Sequence, residues 1–307
     1  MMTTEESLFH TDGAGIAYLR LLQLPGGGWS YGHSSFPYVE PTALSLVALG
    51  ASNRGGGFAD VADRHIVRRG LSWLEAQVNA AGAIELPGDP GVPHWSTGLA
   101  VWAAACTGSS LRSWQPSIDF LLSWQSVSTE PDPAISLNAA LRGWPWYPGS
   151  LGWVIPTAHA VMALRSFGYN DHARVVEGEA LLLDRECEGG GWNYGNREVL
   201  GQVLLPMADT TAWAILALQG RPTAQKAIRL GLEFLDTEVA NRPTSLSLAL
   251  TILCFDLHRY PVSSLVSALL ARQMDDGSWE HRVDLTALAL LALRATRGAG
   301  NAFAIDD

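Results

Sequence analysis

Acids placed just ahead of apolar helical runs are the residues of this chain best suited to moving a proton. The stretch "LLPMADTTAWAILALQG", Leu204 to Gly220, sets Asp209 directly before an apolar segment with helical spacing. A carboxylic acid there has two uses. It can cap the helix, accepting from the N2 or N3 amide and complementing the dipole, or it can serve as a general acid. Glu40 and Asp284 occupy the same place in two other segments, which favours the cap and would equally set three carboxylates at one end of the fold. His159, in "IPTAHAVMALR", stands where four equivalent segments have Leu44, Leu99, Leu246 and Leu288, and where a fifth has Trp213. A histidine there is either a satisfied core residue or the partner of an acid. Asp275 and Asp276 look like a metal-binding pair, but the next acid, Glu280, does not complete an Asp-Asp-x-x-Asp run. Neither a metal nor a cofactor is expected.

The segments that position these residues are copies of one unit. "EPTALSLVALG", "WSTGLAVWAAA", "IPTAHAVMALR", "DTTAWAILALQ", "RPTSLSLALTI" and "DLTALALLALR" align on Thr42, Thr97, Thr157, Thr211, Thr244 and Thr286. Pro precedes the Thr in three of them, as suits a helix N-terminus, so each Thr reads as a helix start. Apolar residues then surround each helix on nearly every side, which predicts an inner, fully buried layer. Between them "HIVRRGLSWLEAQV", "SIDFLLSWQ", "TAQKAIRLGLEFLDTEV" and "SSLVSALLARQ" carry charges at spacings that leave one face wet, and predict an outer layer. The expected fold is all-α, an α/α toroid of six inner and about six outer helices closed into one domain over 1–307, with short flexible ends at about 1–10 and 298–307. An open solenoid is the alternative packing of the same repeats.

Composition excludes several functions. A formal net charge of −10 argues against nucleic acid, which calls for clustered Lys and Arg. With 48% hydrophobic and 16% charged residues the chain can bury an extensive core. Cys106, Cys187 and Cys254 are odd in number and far apart, which fits a reducing compartment rather than a disulfide framework. "MMTTEESLFHTDGAG" lacks the basic and apolar regions of an export signal, and runs such as "TALALLALRA" are too short to cross a bilayer. A cytoplasmic protein is expected.

Three loops share one spacing: "QLPGGGW" at Gln23–Trp29, "ECEGGGW" at Glu186–Trp192 and "QMDDGSW" at Gln273–Trp279. Upstream, "AGIAYLRLLQ" and "IDFLLSWQ" set an aromatic–Leu pair before Gln23 and Gln125, and "RGLSWLEAQ" sets one before Gln77 with the Gln shifted by a residue. The pattern resembles the QW repeat of the squalene–hopene and oxidosqualene cyclases, and it covers nearly the whole chain. Glycine permits the sharp turn, Trp can stack on the amide plane, and the amide is expected to satisfy free N–H groups at a helix N-terminus.

The resemblance supplies a role for the acid. Squalene–hopene-type cyclases carry Asp-x-Asp-Asp-Thr-Ala at one inner helix, and the middle Asp gives the proton that begins cyclisation. Here the aligned run is "MADTTA": Asp209 falls on the donor position, while Met207 and Thr210 replace the flanking acids. The lone acid of "DTTA" looks closer to the Asp-Cys-Thr-Ala of oxidosqualene cyclases, which suits an epoxide or allylic group better than an unactivated alkene. "PTAHAV" matches the family's Thr-Ala-His run, so His159 is implied as the cationic partner that strengthens the acid, although it lies in the repeat before Asp209 rather than the one after.

The resemblance therefore implies a metal-independent, class II terpene-cyclase-like enzyme holding an isoprenoid in its central cavity, with Asp209 and His159 catalytic. Trp102, Trp153 and Trp213 would stabilise carbocations with their π faces, and Thr210, Glu40 and Asp284 would line the substrate. The family's cyclases close the cavity with a second helical barrel. A second copy, a partner domain or peripheral membrane contact would take that place here. Two rivals stand beside this reading: a protein prenyltransferase β-like subunit, whose zinc set the three cysteines do not supply, and a non-catalytic isoprenoid-binding scaffold.

Overall fold

The computed structural model describes residues 4–50, 61–86, 88, 91–130 and 137–305. It is all-α apart from one two-stranded hairpin, and its contacts divide it into two compact units.

The first unit holds α1 (Thr4–Leu21), α2 (Val39–Gly50), α3 (Val61–Ala76), α10 (Ser245–Leu257), α11 (Ser263–Leu270) and α12 (Val283–Arg294). Helices α2, α12 and α10 pack side by side, and each is almost wholly buried. That follows from sequences such as "TALALLALR", which have no polar face to offer water. The amphipathic helices α3, α1 and α11 cover α2, α12 and α10 in turn. The second unit repeats the plan with α4 (Thr97–Cys106), α6 (Val154–Ser166) and α8 (Ala208–Leu218) as its buried helices. Here α7 (Ala173–Asp184) packs on α6 and α9 (Gln225–Asn241) on α8, while α5 (Leu111–Ser123) also touches α6. Gly98 lets α4 approach α6 closely, since a Cβ there would lie 2.8 Å from the Ala160 amide nitrogen. Strands β1 (Glu198–Val199) and β2 (Gln202–Val203) pair antiparallel ahead of α8. No helix among the described residues is long and apolar enough to cross a membrane.

The repeated Thr begins α4, at Thr97, but not every inner helix. Helices α2, α6, α8 and α12 start three residues earlier, at Val39, Val154, Ala208 and Val283. The hydroxyl serves a loop instead. Thr42, Thr157, Thr211 and Thr286 accept the backbone N–H of Trp29, Trp144, Trp192 and Trp279 at 2.8 to 3.0 Å, and Thr97 accepts that of Ile84 at 3.0 Å. Thr244 departs from the set as the N-cap of α10, in a capping box with Ser247. The same four Trp residues reach back with Nε1–H to carbonyls in or at the end of covering helices, at Leu19, Leu121, Leu182 and Leu269. Each loop thus ties an inner helix to the outer helix that precedes it in the chain.

The Gln amide of the loops also works in the opposite sense to the expectation. Gln23 Nε2 donates to Gly27 O at 2.8 Å and Ile66 O at 2.9 Å, and Gln273 Nε2 to Gly277 O and Thr11 O at 2.9 Å each. It satisfies carbonyls rather than helix N–H groups, because the Thr hydroxyl already takes the loop amide.

Within the C-terminal segment Phe303 is fully buried and Asn301 Nδ2 donates to Leu253 O at 2.9 Å. An aromatic side chain nine residues beyond α12 has apolar surface to bury, and docking it sets that part of the segment against the core.

Thr157→Val is isosteric but leaves the buried Trp144 N–H without its acceptor. It should cost about 1–3 kcal/mol in urea unfolding, with the helix content of the folded state unchanged. A loss near zero would show that the Thr–Trp bond does not hold the loop.

Candidate functional site

In the second unit, residues at or near the starts of α4, α6 and α8 bring a run of rings together, with an acid one helical turn before one of them. Asp209 is the second residue of α8, half-buried, and Met207 rather than Asp209 is the N-cap, with no side-chain cap bond. The carboxylate therefore sits in the first turn, where the dipole favours it, with its oxygens not committed to the cap role. Its charge is the leading cause of the raised pKa of the Tyr194 phenol, so the two groups are neighbours. Tyr194 also accepts the Val154 N–H through its carbonyl at 3.1 Å, next to Trp153, the N-cap of α6. The ring of Trp153 covers Gly195.

Trp213 lies one turn after Asp209 on the same face of α8. Its ring meets the His159 imidazole edge-on at 4.5 Å, His159 stacks on Trp95 at 5.8 Å, and Trp95 meets Trp146 at 4.5 Å. Trp95 and Trp146 were not singled out from the sequence for the site, although both stand outside the QW loops. His159 is 2% exposed, and neither ring nitrogen has a hydrogen-bond partner. Burial alone pulls its pKa down to about 3, so the imidazole is neutral at neutral pH. The expected cationic partner of Asp209 is instead an uncharged ring of the aromatic wall. The flanking Trp residues come from a loop and another helix, which no local pattern announces.

Two other expected site residues have structural roles. Thr210 is fully buried, and its hydroxyl donates to Trp192 O at 2.6 Å. Trp102 is 1% exposed, inside α4 among the core. Asp276 is likewise occupied: one oxygen accepts from Ser278 and the other meets His281 Nδ1 at 2.8 Å, so the Asp275–Asp276 pair is part of its loop. Among the described residues no group of three or more His, Cys, Asp or Glu could hold a metal.

The first unit contains a separate polar cluster. Glu40 and Asp284 are the second residues of α2 and α12, as Asp209 is of α8. Asp284 is paired with Arg282 through both guanidinium Nε, at 3.1 Å, and Nη2. Glu40 takes the hydroxyl of Tyr31. Burial raises the Glu40 pKa, the Tyr31 hydroxyl opposes this, and the charge of Asp284 adds to it. Two carboxyls at the same repeat position thus have different partners, an Arg for Asp284 and a Tyr hydroxyl for Glu40. Tyr31 and Arg282 were not legible as partners, because they lie in loops before different helices.

No family model matches the chain, and no curated protein matches it. Solved structures do. Over 95% of this chain and 98% of the other, a variant of the type II terpene cyclase MstE from Scytonema, in complex with its substrate geranylgeranyl dihydroxybenzoate, superposes with a TM-score of 0.68 at 12% identity. A protein from Actinoplanes gives 0.67 at 16% identity over 94% and 99%. An inactive variant of the α-1,6-mannanase GH76A of Salegentibacter, with α-1,6-mannotriose, gives 0.67 at 10% identity over 94% and 98%. At these identities the likeness is one of fold, which a terpene cyclase and a glycan-cleaving enzyme share.

Proposed function

We propose that the chain is a class II terpene-cyclase-like enzyme that lays a polyprenyl substrate against the aromatic wall of the second unit and starts cyclisation with a proton from Asp209. One observation carries this reading: the carboxyl of Asp209 precedes Trp213 by a single helical turn, and Trp213 opens a run of rings through His159, Trp95 and Trp146. The O–H bond of the Asp209 carboxyl breaks as the proton bonds to a terminal alkene carbon or an epoxide oxygen, leaving the carboxylate and a carbocation. The ring faces hold the cation by their quadrupoles, each at about 0.5–2 kcal/mol. The next alkene supplies the electron pair that closes a ring, and the last cation returns a proton to a base. Closure of the six inner helices into a toroid over a single domain, with the substrate in its lumen, belongs to the same reading. So does a second copy, a partner domain or a lipid surface at the cavity mouth. Support for the lipid surface comes from Val199, Leu200, Val203 and Leu205, which all stand exposed around the hairpin ahead of α8.

A proton gained and a proton lost leave the mass unchanged. Incubation with C15 to C30 polyprenyl substrates is therefore expected to yield a product of equal mass and new retention time, carrying one deuterium when the reaction runs in D₂O, and undiminished by EDTA. A product lacking diphosphate, formed only with Mg²⁺, would overturn the reading.

A second reading is favoured by the Glu40–Asp284 pair. A carboxyl whose pKa burial raises, beside a second carboxyl bonded to Arg282, is the kind of pair acid-catalysed glycoside cleavage uses. Release of reducing sugar from α-1,6-linked mannan in the same panel, lost in Glu40→Gln, would establish it in place of the first.

A further inference from the structure

The three glycine-rich loops share one backbone. In each, the residue after the Gln or Glu donates its N–H to the carbonyl four positions on, at 2.8 to 2.9 Å: Leu24 to Gly28, Cys187 to Gly191, Met274 to Ser278. The glycine between is held at positive φ in all three, +103° at Gly27, +103° at Gly190 and +85° at Gly277. A Cβ on it would strike the covering helix, at Arg69 O, Leu230 Cβ and Ala14 O. Two of the loops are locked by a Gln amide, which donates to the glycine carbonyl and to a helix carbonyl three residues before that strike point, Ile66 before Arg69 and Thr11 before Ala14. In the third loop the same position is Glu186, and the carbonyls that correspond to the two Gln acceptors are Gly190 O and, by the same count back from Leu230, Ala227 O.

A carboxylate cannot donate to a carbonyl, whereas a carboxylic acid has one O–H to give. We infer that Glu186 is a proton-operated latch on the start of α8, closing its loop in the neutral form as Gln23 and Gln273 close theirs, and releasing it when ionised. Room for the released side chain lies beside it, in a cavity of about 540 Å³ lined by Glu186, Glu188, Arg197, Glu198, Lys226 and Leu230. Lys226 on α9 and Arg197 before the hairpin would attract the carboxylate there. Glu188, Glu198 and the Cys187 thiol adjoin the same space, and Asp184 with Arg185 ends the preceding helix. Burial outweighs the two cations and raises the Glu186 pKa.

The latch bears on α8 because this loop carries Trp192. Its carbonyl accepts the Met207 N–H at 2.8 Å and the Thr210 hydroxyl, and its N–H donates to Thr211, so the turn bearing Asp209 is held by the loop that Glu186 closes. Since the folded pKa lies above the unfolded value of about 4.3, the native protein holds more protons in between. The latch then contributes fully below pH 4.3 and is lost as pH rises through the folded pKa.

The test is the melting temperature of wild type, Glu186→Gln and Gln273→Glu from pH 4 to 8, with amide exchange at Trp192 in the wild type, corrected for the intrinsic pH dependence. Neither readout needs a substrate, so the result stands apart from the proposed reaction. Glu186→Gln should melt roughly 2 °C or more above wild type at pH 8, with the gap closing at pH 4. Gln273→Glu should acquire a pH-dependent loss of its own, and Trp192 protection should fall several-fold between pH 4 and 8. A gap between wild type and Glu186→Gln that is the same at both pH values, or Trp192 protection that does not change, would overturn the latch.

Discussion

Asp209→Asn is expected to lower turnover of a cyclisable polyprenyl substrate by about 10²- to 10⁴-fold, equivalent to about 3–5 kcal/mol on the barrier. The melting temperature should move little. Asp209 is not the N-cap of α8, and what Asn loses in the first turn is a charge–dipole interaction of about 0.3–1 kcal/mol. Asn keeps the size and an oxygen acceptor but has no carboxylic proton. Glu40→Gln and Asp284→Asn test the same chemistry from the other unit and should leave cyclisation nearly intact. His159→Phe should also be tolerated, because the imidazole is buried, neutral and without hydrogen bonds, and contributes a ring face that Phe also offers. Wild-type turnover in Asp209→Asn, measured on a substrate the wild type converts, would remove Asp209 from the reaction. Loss of activity in Glu40→Gln alone would move the acid to the first unit.

The largest effect on stability is expected from Trp192→Ala, at about 3–5 kcal/mol by urea unfolding, a large share of the 5–15 kcal/mol that holds a typical domain. Trp192 is fully buried, its indole N–H donates to Leu182 O at 2.6 Å, and its backbone holds the first turn of α8. Truncation opens a cavity and removes the indole bond to the Leu182 carbonyl at once. Trp153→Ala is the informative contrast. Trp153 is only half-buried, so its loss should be smaller in stability while still depressing turnover if it belongs to the wall. Equal, small losses from both would mean that the QW loops do not clamp the inner helices to the outer layer.

Much of the architecture is legible in the residues themselves. A segment such as "TALALLALR" has no polar face and must be buried all round, while "TAQKAIRLGLEFLDTEV" has one and must cover something, so two layers follow from periodicity alone. The glycine-rich turns before Trp29, Trp192 and Trp279 are equally legible, because few residues other than glycine accept the positive φ at Gly27, Gly190 and Gly277. What the repeated Thr does is not. A Thr before an apolar run looks like a cap, but a hydroxyl takes whichever amide the fold presents, and here that is a Trp N–H from 7 to 19 residues upstream. The charge states of the site were likewise decided by tertiary packing. His159 is neutral because rings brought by a distant loop and by α8 exclude water from it. Glu40 and Asp284 share a repeat position but not their partners: Arg282 bonds Asp284, and Tyr31 bonds Glu40, whose pKa burial raises. Sequence spacing places a titratable group on a helix, whereas its proton is set by the dielectric and the partners around it, which come from elsewhere in the chain.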